Sequence, residues 1–487
     1  MITVVEQVFI CGRNNPDKVA IHNGKKSLRY GQMLKKILSA KKKLSEVYGI
    51  EKNSRVIIAA DKQLEFVSVY FACHILQAVT LPIAPDTNKK RYELIKNKVR
   101  PSLVIGFKDE TQDVRVAELS DFIREENDDN LEEIIFPDMD MIADIIFTTG
   151  TTGEPKGVQL SHRNIAAAAR NINAFVGNAS EDVEMLALPI SHSFGLGRMR
   201  CALSNGQTLV MLGSFANVKR FFRFMKEYNV NGLGMVPASW ALLKRLSGEE
   251  ISKYKGQLHY IEIGSAPMPL SEKKNLIELL PDTRICMHYG LTEASRSAFI
   301  EFHEEVKHLS TVGKQSPNMY ITIRDETGSE QPIGTEGEIC VRGDAVTVGY
   351  LNLSREDSFW GDSFRTGDWG YQDENGYITL KSRKKELINV GGKKVSPIEV
   401  EDVLKKLEHI EECVCVGAPD PEGILGEVVK AYVVTSSSQM LDKEYMDSLI
   451  GDELEGYKHP VLYEEISEIP KTSSGKIQRL LLKKEKE

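Results

Sequence analysis

Short apolar segments alternate with helical segments along the first 280 or so residues of this chain. Arg55–Ala60, Thr80–Ile83 and Leu103–Gly106 have the length of buried strands. Leu28–Tyr48 has the apolar spacing of an amphipathic helix, and Leu64–Gln77 has the composition of a largely buried one. Strands and helices in alternation predict βαβ units with parallel sheets, so we expect an α/β fold here.

The character of the sequence changes after about residue 310. Three short strand candidates, joined by turns with Gly, Asp and Pro, predict a β-rich subdomain: Tyr320–Arg324, Gly337–Arg342 and Tyr377–Lys381. Near residue 384 the pattern changes again, and a helix is predicted over Ile398–Leu407. We therefore expect a multidomain protein of mixed α/β and α+β class. Its large N-terminal domain would span 1–384 and a small α+β domain 385–487.

Composition narrows the class of protein. The 487 residues are 41% hydrophobic and 27% charged, as in soluble globular proteins. A net charge of −8 offers no basic face, so no nucleic-acid partner is expected. No secretory signal and no apolar run of about 20 residues is present, so we expect no membrane span. Cys413 and Cys415 are expected to be buried structural residues, which fits a reducing cytoplasm.

The densest local signal is a Thr- and Gly-rich run that follows the apolar segment Ile142–Phe147. Its glycines let the backbone turn tightly, and successive N–H groups in such a turn form a concavity for anions. Lys156 adds a point charge suited to phosphate. The spacing is not that of a Walker loop, and an ordinary loop is the alternative for this run alone. The predicted phosphate-binding residues are Thr148, Thr149, Gly150, Thr151, Thr152, Gly153 and Lys156.

Phe147–Gly157 resembles the phosphate-loop signature of the adenylate-forming superfamily. That superfamily includes acyl-CoA synthetases, aryl-CoA ligases, luciferases and peptide-synthetase adenylation domains. Its usual pattern has Ser where this chain has Thr149, so a hydroxyl is kept. Six further segments resemble the superfamily's motifs in the same order: Gly264–Pro267, His288–Glu293, Gly337–Gly343 with Gly349-Tyr350, Arg365–Asp368, Ser382–Lys385 and Pro470–Ile477. Each alone would be an ordinary turn or solvated charge, but their order makes the resemblance specific.

The resemblance implies a role for each motif, and the role of Gly337–Gly343 with Gly349-Tyr350 would be structural. Tyr289 would stack on adenine, Thr292 would bond the α-phosphate and Glu293 would hold Mg²⁺. Asp368 would accept hydrogen bonds from the ribose hydroxyls, and Lys476 would be the catalytic lysine that reaches the α-phosphate and the attacking carboxylate. The remaining residues assigned to ATP or AMP binding are Gly264, Ser265, Ala266, Pro267, His288, Gly290 and Arg383.

The resemblance also implies a mobile C-terminal domain. In the superfamily this domain rotates between two half-reactions, and Lys385 stands at the hinge position, where many relatives have Asp. Ser382 stands where Gly is common. Rotation would bring Gly391 and Gly392 inward, where glycines leave room for the pantetheine arm of a thiol.

Leu188–Leu196 resembles the acyl-site motif of fatty acyl- and aryl-CoA ligases. His192, Phe194 and Gly195 are therefore predicted to line the acyl pocket. Amino-acid-activating domains usually place Asp at this point, and this chain has none, so an α-amino acid is disfavoured. The alternative for His192 is a packed core histidine. No catalytic base is needed, because a carboxylic acid is already ionised at neutral pH.

The expected function is that of a cytoplasmic, AMP-forming acyl-CoA synthetase. It would use ATP, Mg²⁺ and CoA on a fatty or other non-amino carboxylic acid. The chain contains no carrier domain, so an alternative acceptor is a separate acyl carrier protein, docking near Lys393, Lys394 and Lys458. A second alternative is a nucleotide-binding relative without catalytic activity, although the motif residues are retained.

Overall fold

The computed structural model describes residues 1–60, 64–109, 113–122, 134–149, 155–407, 409–435, 443–471 and 477–483. The α-helices are α1 Val4–Asn14, α2 Tyr30–Glu46, α3 Leu64–Ile75, α4 Lys89–Val99, α5 His162–Val176, α6 Ser193–Ser204, α7 Val218–Glu227, α8 Pro237–Ser247, α9 Leu270–Leu279, α10 Pro397–Leu404, α11 Lys443–Ile450 and α12 Arg479–Lys483.

Twenty-six strands accompany these helices in the described part of the chain. They are β1 Val19–His22, β2 Ser27–Arg29, β3 Arg55–Ala59, β4 Val79–Ile83, β5 Leu103–Ile105, β6 Arg115–Ala117, β7 Ile142–Thr149, β8 Pro155–Ser161, β9 Val183–Leu186, β10 Thr208–Met211, β11 Gly232–Met235, β12 Tyr260–Ile263, β13 Arg284–Tyr289, β14 Ala298–Glu301, β15 Lys314–Gln315, β16 Met319–Arg324, β17 Gly337–Gly343, β18 Gly349–Tyr350, β19 Phe359–Trp360, β20 Ser363–Gln372, β21 Ile378–Arg383, β22 Ile388–Val390, β23 Lys393–Val395, β24 Ile410–Pro419, β25 Glu427–Thr435 and β26 Leu462–Glu465.

The chain forms two compact units. The first contains residues 1–321 and 341–364, and the second contains residues 322–340 and 365–487. Parallel sheets, antiparallel sheets and helices occur together, which confirms the expected mixed, multidomain class. The predicted domain boundary at residue 384 differs from this division into compact units, and as a boundary of motion it stays a prediction. No helix in the described ranges is long and apolar enough to cross a membrane.

Two large sheets form the framework of the first unit. A nine-stranded sheet has the order β15-β14-β13-β12-β11-β9-β10-β1-β2, and a seven-stranded sheet has the order β18-β8-β7-β4-β3-β5-β6. The central strands β10, β9, β11, β12 and β13 are parallel neighbours, as are β4, β3 and β5. These strands are short and mostly apolar, as strands buried on both faces require, with Glu184 of β9 and Glu262 of β12 as buried exceptions, so the predicted βαβ alternation is confirmed.

Helices lie between the two sheets as well as outside them. Every residue of α3 except Glu65 is buried, and α6 is buried from Phe194 to its end, as expected for helices covered on nearly all sides. One apolar core joins Leu209 of the nine-stranded sheet to Val56 of the seven-stranded sheet through these helices. Helices α7, α8 and α9 cover the outer face of the nine-stranded sheet, and α4 covers that of the seven-stranded sheet.

The β-rich segment and the C-terminal segment also match the prediction in type. A five-stranded sheet has the order β16-β17-β20-β19, with β21 beside β20. Farther along the chain, α10 packs on a three-stranded sheet of β24, β25 and β26. Cys413 and Cys415 are buried in β24 as free thiols, which confirms their structural reading. Helix α10 ends at Leu404, three residues before the predicted end.

Candidate active site

The predicted phosphate loop connects the two strands of a hairpin. Strands β7 and β8 are antiparallel, and Thr148 pairs with Lys156 while Thr149 pairs with Pro155. Lys156 therefore lies within β8, where the ladder fixes its backbone. Gly150, Thr151, Thr152 and Gly153 lie between the strands, outside the described residues, and Thr149 is described by its backbone alone.

Lys156, Tyr350 and Glu293 lie in a row beside this hairpin. The short strand β18 pairs with β8, so Tyr350 comes next to Lys156, whose Nζ lies 5.1 Å from the centre of the tyrosine ring. The Tyr350 hydroxyl donates to Glu293 Oε1 at 2.7 Å. Glu293 is only 8% exposed, and its carbonyl oxygen accepts from the N–H of Thr347 at 2.7 Å. Tyr350, which the sequence marked only as structural, thus connects two predicted site residues, Lys156 and Glu293.

Thr292 joins the nucleotide motif to the acyl motif. Its Oγ1 lies 3.1 Å from Oγ of Ser193, the first residue of α6. Thr292 lies within a tight turn, because Leu291 and Ala294 exchange backbone hydrogen bonds of 3.0 and 3.2 Å. A Cβ at Gly290 would lie 2.5 Å from the backbone nitrogen of Arg296, so only glycine fits at this position.

Gly264 and His288, both assigned to ATP or AMP binding, lie against each other at neighbouring parallel strands. Gly264 follows β12 and His288 is in β13, and Ile263 pairs with Met287 between them. A Cβ at Gly264 would lie 2.1 Å from Cε1 of the His288 ring. The segment that leads to α9 contains three other predicted residues, Ser265, Ala266 and Pro267. Tyr289 is the last residue of β13, and it is 8% exposed.

A network of buried charges lies behind His288, and sequence reasoning missed it. Glu262 accepts from Arg198 Nη1 at 2.9 Å and from Arg296 Nε at 3.0 Å, and its Oε1 lies 2.7 Å from His288 Nδ1. Glu184 accepts from Arg198 Nε at 2.7 Å. Burial alone would raise the pKa of Glu262, but Arg296 and Arg198 hold that pKa well below its usual range. Burial lowers the pKa of His288, so its imidazole is neutral at pH 7.

The three predicted acyl-pocket residues have different surroundings. His192 is exposed at the start of α6, which does not fit the alternative of a packed core histidine. Phe194 is 6% exposed, and its ring meets the His288 ring edge to face with the centroids 4.7 Å apart. The guanidinium of Arg296 lies 4.8 Å from the centre of the Phe194 ring. A Cβ at Gly195 would lie 2.3 Å from the carbonyl oxygen of Pro189, so this glycine serves packing.

A small cavity borders Thr292. Its volume is about 20 Å³, and its lining includes Ser193, Gly197 and Arg200 of α6. Arg200 is held in place because its Nε donates to the hydroxyl of Tyr70 at 2.9 Å and its guanidinium pairs with the buried Asp144 of β7. Space of this size accommodates about one water molecule.

The second compact unit places Asp368 beside Arg383. The two residues are opposite each other in the β20–β21 ladder, and Arg383 Nε lies 2.8 Å from Asp368 Oδ1. Arg383 Nη1 also donates to the carbonyl oxygen of Thr366 at 3.1 Å. Asp368 is only 3% exposed, so the ion pair with Arg383 offsets the free-energy cost of burying its carboxylate.

The remaining predicted positions are also in this unit. Lys385, the predicted hinge residue, is exposed in a short 3₁₀ turn. Gly391 and Gly392 form the turn between β22 and β23 with φ values of 57° and 86°, a region that favours glycine. Lys476 lies outside the described residues. The roles of all these residues stay predictions.

The candidate site offers few protein ligands for a metal ion. Among the described residues, no three His, Cys, Asp or Glu side chains lie together in a way that could hold an ion. Glu293 is therefore the single protein carboxylate that the prediction offers. Because Mg²⁺ is commonly held by one or two carboxylates together with substrate phosphates and water, this donor set fits the metal.

Comparisons with known proteins agree with the motifs. The AMP-binding enzyme family matches residues 9–351, and the AMP-binding enzyme C-terminal domain matches residues 399–476. A 2-succinylbenzoate–CoA ligase of Bacillus licheniformis is 27% identical over 95% of this chain and 96% of its own length. The 4-coumarate–CoA ligase-like 9 protein of Arabidopsis thaliana is 32% identical over 70% of this chain, and the match spans 62% of that protein.

Solved structures show the same fold. ATP-bound MatB from Rhodopseudomonas palustris superposes with a TM-score of 0.88 at 23% identity, covering 99% of this chain and 98% of that one. MenE from Bacillus subtilis, in complex with an acyl-adenylate intermediate, gives a TM-score of 0.87 at 23% identity with the same coverage. The predicted resemblance to the adenylate-forming superfamily is thereby confirmed. The chain belongs to the AMP-binding enzyme family.

Proposed function

We propose that this protein is an ATP-dependent, AMP-forming carboxylate–CoA ligase. The observation that carries the proposal is the row of Lys156, Tyr350 and Glu293 next to Thr292, which itself contacts the acyl motif at Ser193. A cation, a carboxylate for a metal and a hydroxyl are the groups that a reaction between a carboxylate and a triphosphate needs. One compact unit holds all of them beside the phosphate hairpin.

The names of the relatives support the CoA ligase reaction and leave the acid open. An oxalate–CoA ligase of Arabidopsis thaliana is 28% identical over 96% of this chain and 95% of its own length. A long-chain-fatty-acid–CoA ligase of Bacillus subtilis is 34% identical over 71% of this chain. Together with the succinylbenzoate and coumarate ligases, these proteins share the acceptor and differ in the acid.

In the first half-reaction an oxygen of the acid's carboxylate would attack the α-phosphorus of ATP, and pyrophosphate would leave with the electrons of the broken P–O bond. The hydroxyl of Thr292 and the ammonium of Lys156 would hold phosphate oxygens in position. Glu293 would hold Mg²⁺, which neutralises phosphate charge when bound. Tyr350 keeps the Glu293 carboxylate in a fixed orientation through its hydrogen bond.

The second unit would contribute to both half-reactions. Asp368, fixed by Arg383, would accept hydrogen bonds from the ribose hydroxyls, and Lys476 would neutralise the α-phosphate and the carboxylate. In the second half-reaction the thiol of CoA would attack the acyl carbonyl carbon, and AMP would leave. The exposed Gly391-Gly392 turn, which carries no side chains, would leave a path for the pantetheine arm.

Release of pyrophosphate and AMP tests the proposal. The assay contains ATP, Mg²⁺ and one acid from a panel of short, long, aromatic and amino acids, with and without CoA. Acid-dependent release that CoA accelerates is the expected result. Release that only an acyl carrier protein accelerates would move the acceptor to that class, and absence of release with every acid would contradict the ligase.

The alternative of a carrier protein has no specific support from the lysines that suggested it. Lys458 is 9% exposed and bonds Glu399 at 2.9 Å, and Lys394 lies 2.6 Å from Glu326. Lys393 lies over the ring of Tyr457 at 4.3 Å. Since all three already have partners within their own unit, CoA is the preferred acceptor.

A further inference from the structure

The net charge of the chain, −8, conceals a local excess of positive charge in the first compact unit. Helix α7 carries Lys219, Arg223 and Lys226 at a spacing of i, i+4 and i+7, which places the three cations on one face of the helix. All three are exposed, whereas Phe221 and Phe224 on the opposite face are fully buried. The helix therefore presents a row of cations to the solvent.

The turn between β1 and β2 packs directly on this helix. Arg220 Nη2 donates to the carbonyl oxygen of Asn23 at 3.4 Å. Gly24 has a φ of 79°, and a Cβ there would lie 2.4 Å from Cζ of Phe224, so the turn approaches the helix this closely because the residue is glycine. The turn and the helix thus form one continuous surface.

The turn adds two exposed cations to that surface. We call the surface the basic patch, and its six cations are Lys25, Lys26, Lys219, Arg220, Arg223 and Lys226. Among the described residues these cations form one ion pair, in which Arg223 Nε lies 3.9 Å from Glu227 Oε2. Six cations less one carboxylate leave an excess of five positive charges. They lie along a helix of 10 residues, which is about 15 Å long.

The chemistry of the basic patch favours one kind of partner. The apolar residues of α7 are buried or half-buried against the core, so the patch offers charge without an apolar anchor. The centre of a protein–protein interface is normally apolar, and this surface has no such centre. The headgroups of an anionic bilayer need none, because they attract each Lys or Arg near the membrane surface by charge alone. Charge complementarity therefore points to an anionic lipid surface.

The basic patch lies on the edge of the nine-stranded sheet that also carries part of the candidate site. Strands β1, β10 and β12 run parallel in this sheet. The turn follows β1, α7 follows β10 and Gly264 follows β12, so all three are at the carboxyl ends of parallel strands. Four strand spacings separate β1 from β12, which corresponds to about 19 Å.

We propose that the basic patch docks this protein onto the anionic surface of a lipid bilayer. Docking would be reversible and sensitive to salt, because no apolar side chain of the patch inserts into the bilayer. It would also place the candidate site beside carboxylic acids whose alkyl chains partition into the bilayer. This consequence for the substrate rests on the proposed ligase function, whereas the docking itself does not.

Flotation with lipid vesicles measures the docking. The vesicles contain phosphatidylcholine with or without phosphatidylserine, and the patch variant is Lys219→Glu/Arg223→Glu/Lys226→Glu. At low salt the wild type should float with the phosphatidylserine vesicles alone. The patch variant should bind these vesicles at least about 100-fold more weakly, because each lost cation removes a separate attraction. Binding of the wild type should disappear near 1 M NaCl, where the screening length is about 3 Å.

A matched control separates the patch from the net charge. The control variant Lys52→Glu/Lys90→Glu/Lys108→Glu has the same change of charge, and its three lysines are exposed near the seven-stranded sheet, away from α7. It should keep most of the vesicle binding, and thermal unfolding checks that all three proteins are folded. Equal losses in the two variants, equal binding to both kinds of vesicle, or no binding at low salt would overturn the inference. So would tighter binding to a short DNA duplex than to the anionic vesicles, which would assign the patch to nucleic acid.

Pyrophosphate exchange with a short, water-soluble acid separates this inference from the proposed function. Without vesicles the three proteins should exchange equally, since no residue of the basic patch belongs to the candidate site. Vesicle binding in a protein that shows no exchange with any acid would support the docking and contradict the ligase. Exchange without vesicle binding would support the ligase and overturn the docking.

Discussion

Replacement of Tyr350 by Phe removes one hydroxyl from the candidate site and keeps the ring. That hydroxyl donates to Glu293 Oε1 at 2.7 Å, and Glu293 is 8% exposed. The ring itself remains 5.1 Å from the ammonium of Lys156. The variant therefore isolates the hydrogen bond that orients the proposed magnesium carboxylate.

The expected loss follows from the charge of the acceptor. A hydrogen bond to a charged group contributes about 1.5–3 kcal/mol, and about 1.4 kcal/mol corresponds to a factor of ten in rate. If most of this energy serves to hold Glu293 for the metal and the phosphates, kcat/KM for adenylation should fall by about 10- to 100-fold. Tyr350→Leu also removes the ring from beside Lys156, which should add about 0.5–1 kcal/mol.

The assay is acid-dependent exchange of pyrophosphate into ATP over a range of Mg²⁺ concentrations. Tyr350→Phe should need more Mg²⁺ for half-maximal exchange, because its carboxylate is less well oriented. Tyr92→Phe is the matched control, because the Tyr92 hydroxyl also donates to a carboxylate oxygen, Asp109 Oδ2 at 2.8 Å. Tyr92 is in α4, on the outer face of the seven-stranded sheet. Wild-type exchange in Tyr350→Phe, or equal losses in the two variants, would refute the reasoning.

Three further changes test the network, a buried lysine and the catalytic loop. Arg198→Met should lower the free energy of unfolding by about 3–5 kcal/mol, because Glu184 stays buried with fewer partners. Urea unfolding should show that the double variant Arg198→Met/Glu184→Gln recovers part of the lost stability. Burial lowers the pKa of Lys273 to about 8. Between about pH 8 and about 10.4 the unfolded chain therefore binds more protons than the native protein, so the free energy of unfolding rises with pH in this range. The gain in the free energy of unfolding amounts to about 3 kcal/mol, and Lys273→Met should lack it. The same pH dependence of stability in the wild type and in Lys273→Met would contradict this prediction. Lys476→Ala should abolish adenylation while thioester formation from preformed acyl-AMP largely survives, and equal loss of both half-reactions would rule out the proposed role.

The sequence was informative where function depends on local chemistry. The run from Thr148 to Gly157 predicts a phosphate loop, because glycine, threonine and lysine in close succession suit the binding of an anion. The spacing of apolar residues likewise predicted α2, α3 and the parallel strands, since amphipathic periodicity depends on neighbours in the chain. Asp368 and Arg383 were both assigned to the nucleotide site from separate motifs.

Tyr350 shows where such reasoning ends. It was placed in a structural segment, because nothing in its neighbours marks a tyrosine as a partner for a carboxylate. Its contact with Glu293, which lies 57 positions earlier in the chain, depends on the pairing of β18 with β8. Pairing of strands far apart in the chain depends on register and packing, which local periodicity does not encode.

The sequence by itself determined which chemical groups this protein has and in what order, because motif residues and strand or helix periodicity are local properties. Only the tertiary structure decided which of them meet. Arg198, Glu262 and Arg296 come from three distant segments, and each would count as a surface charge by its own neighbours. Their burial as one balanced network is possible because each supplies the partner that the others need, and that compensation exists only once the chain has folded.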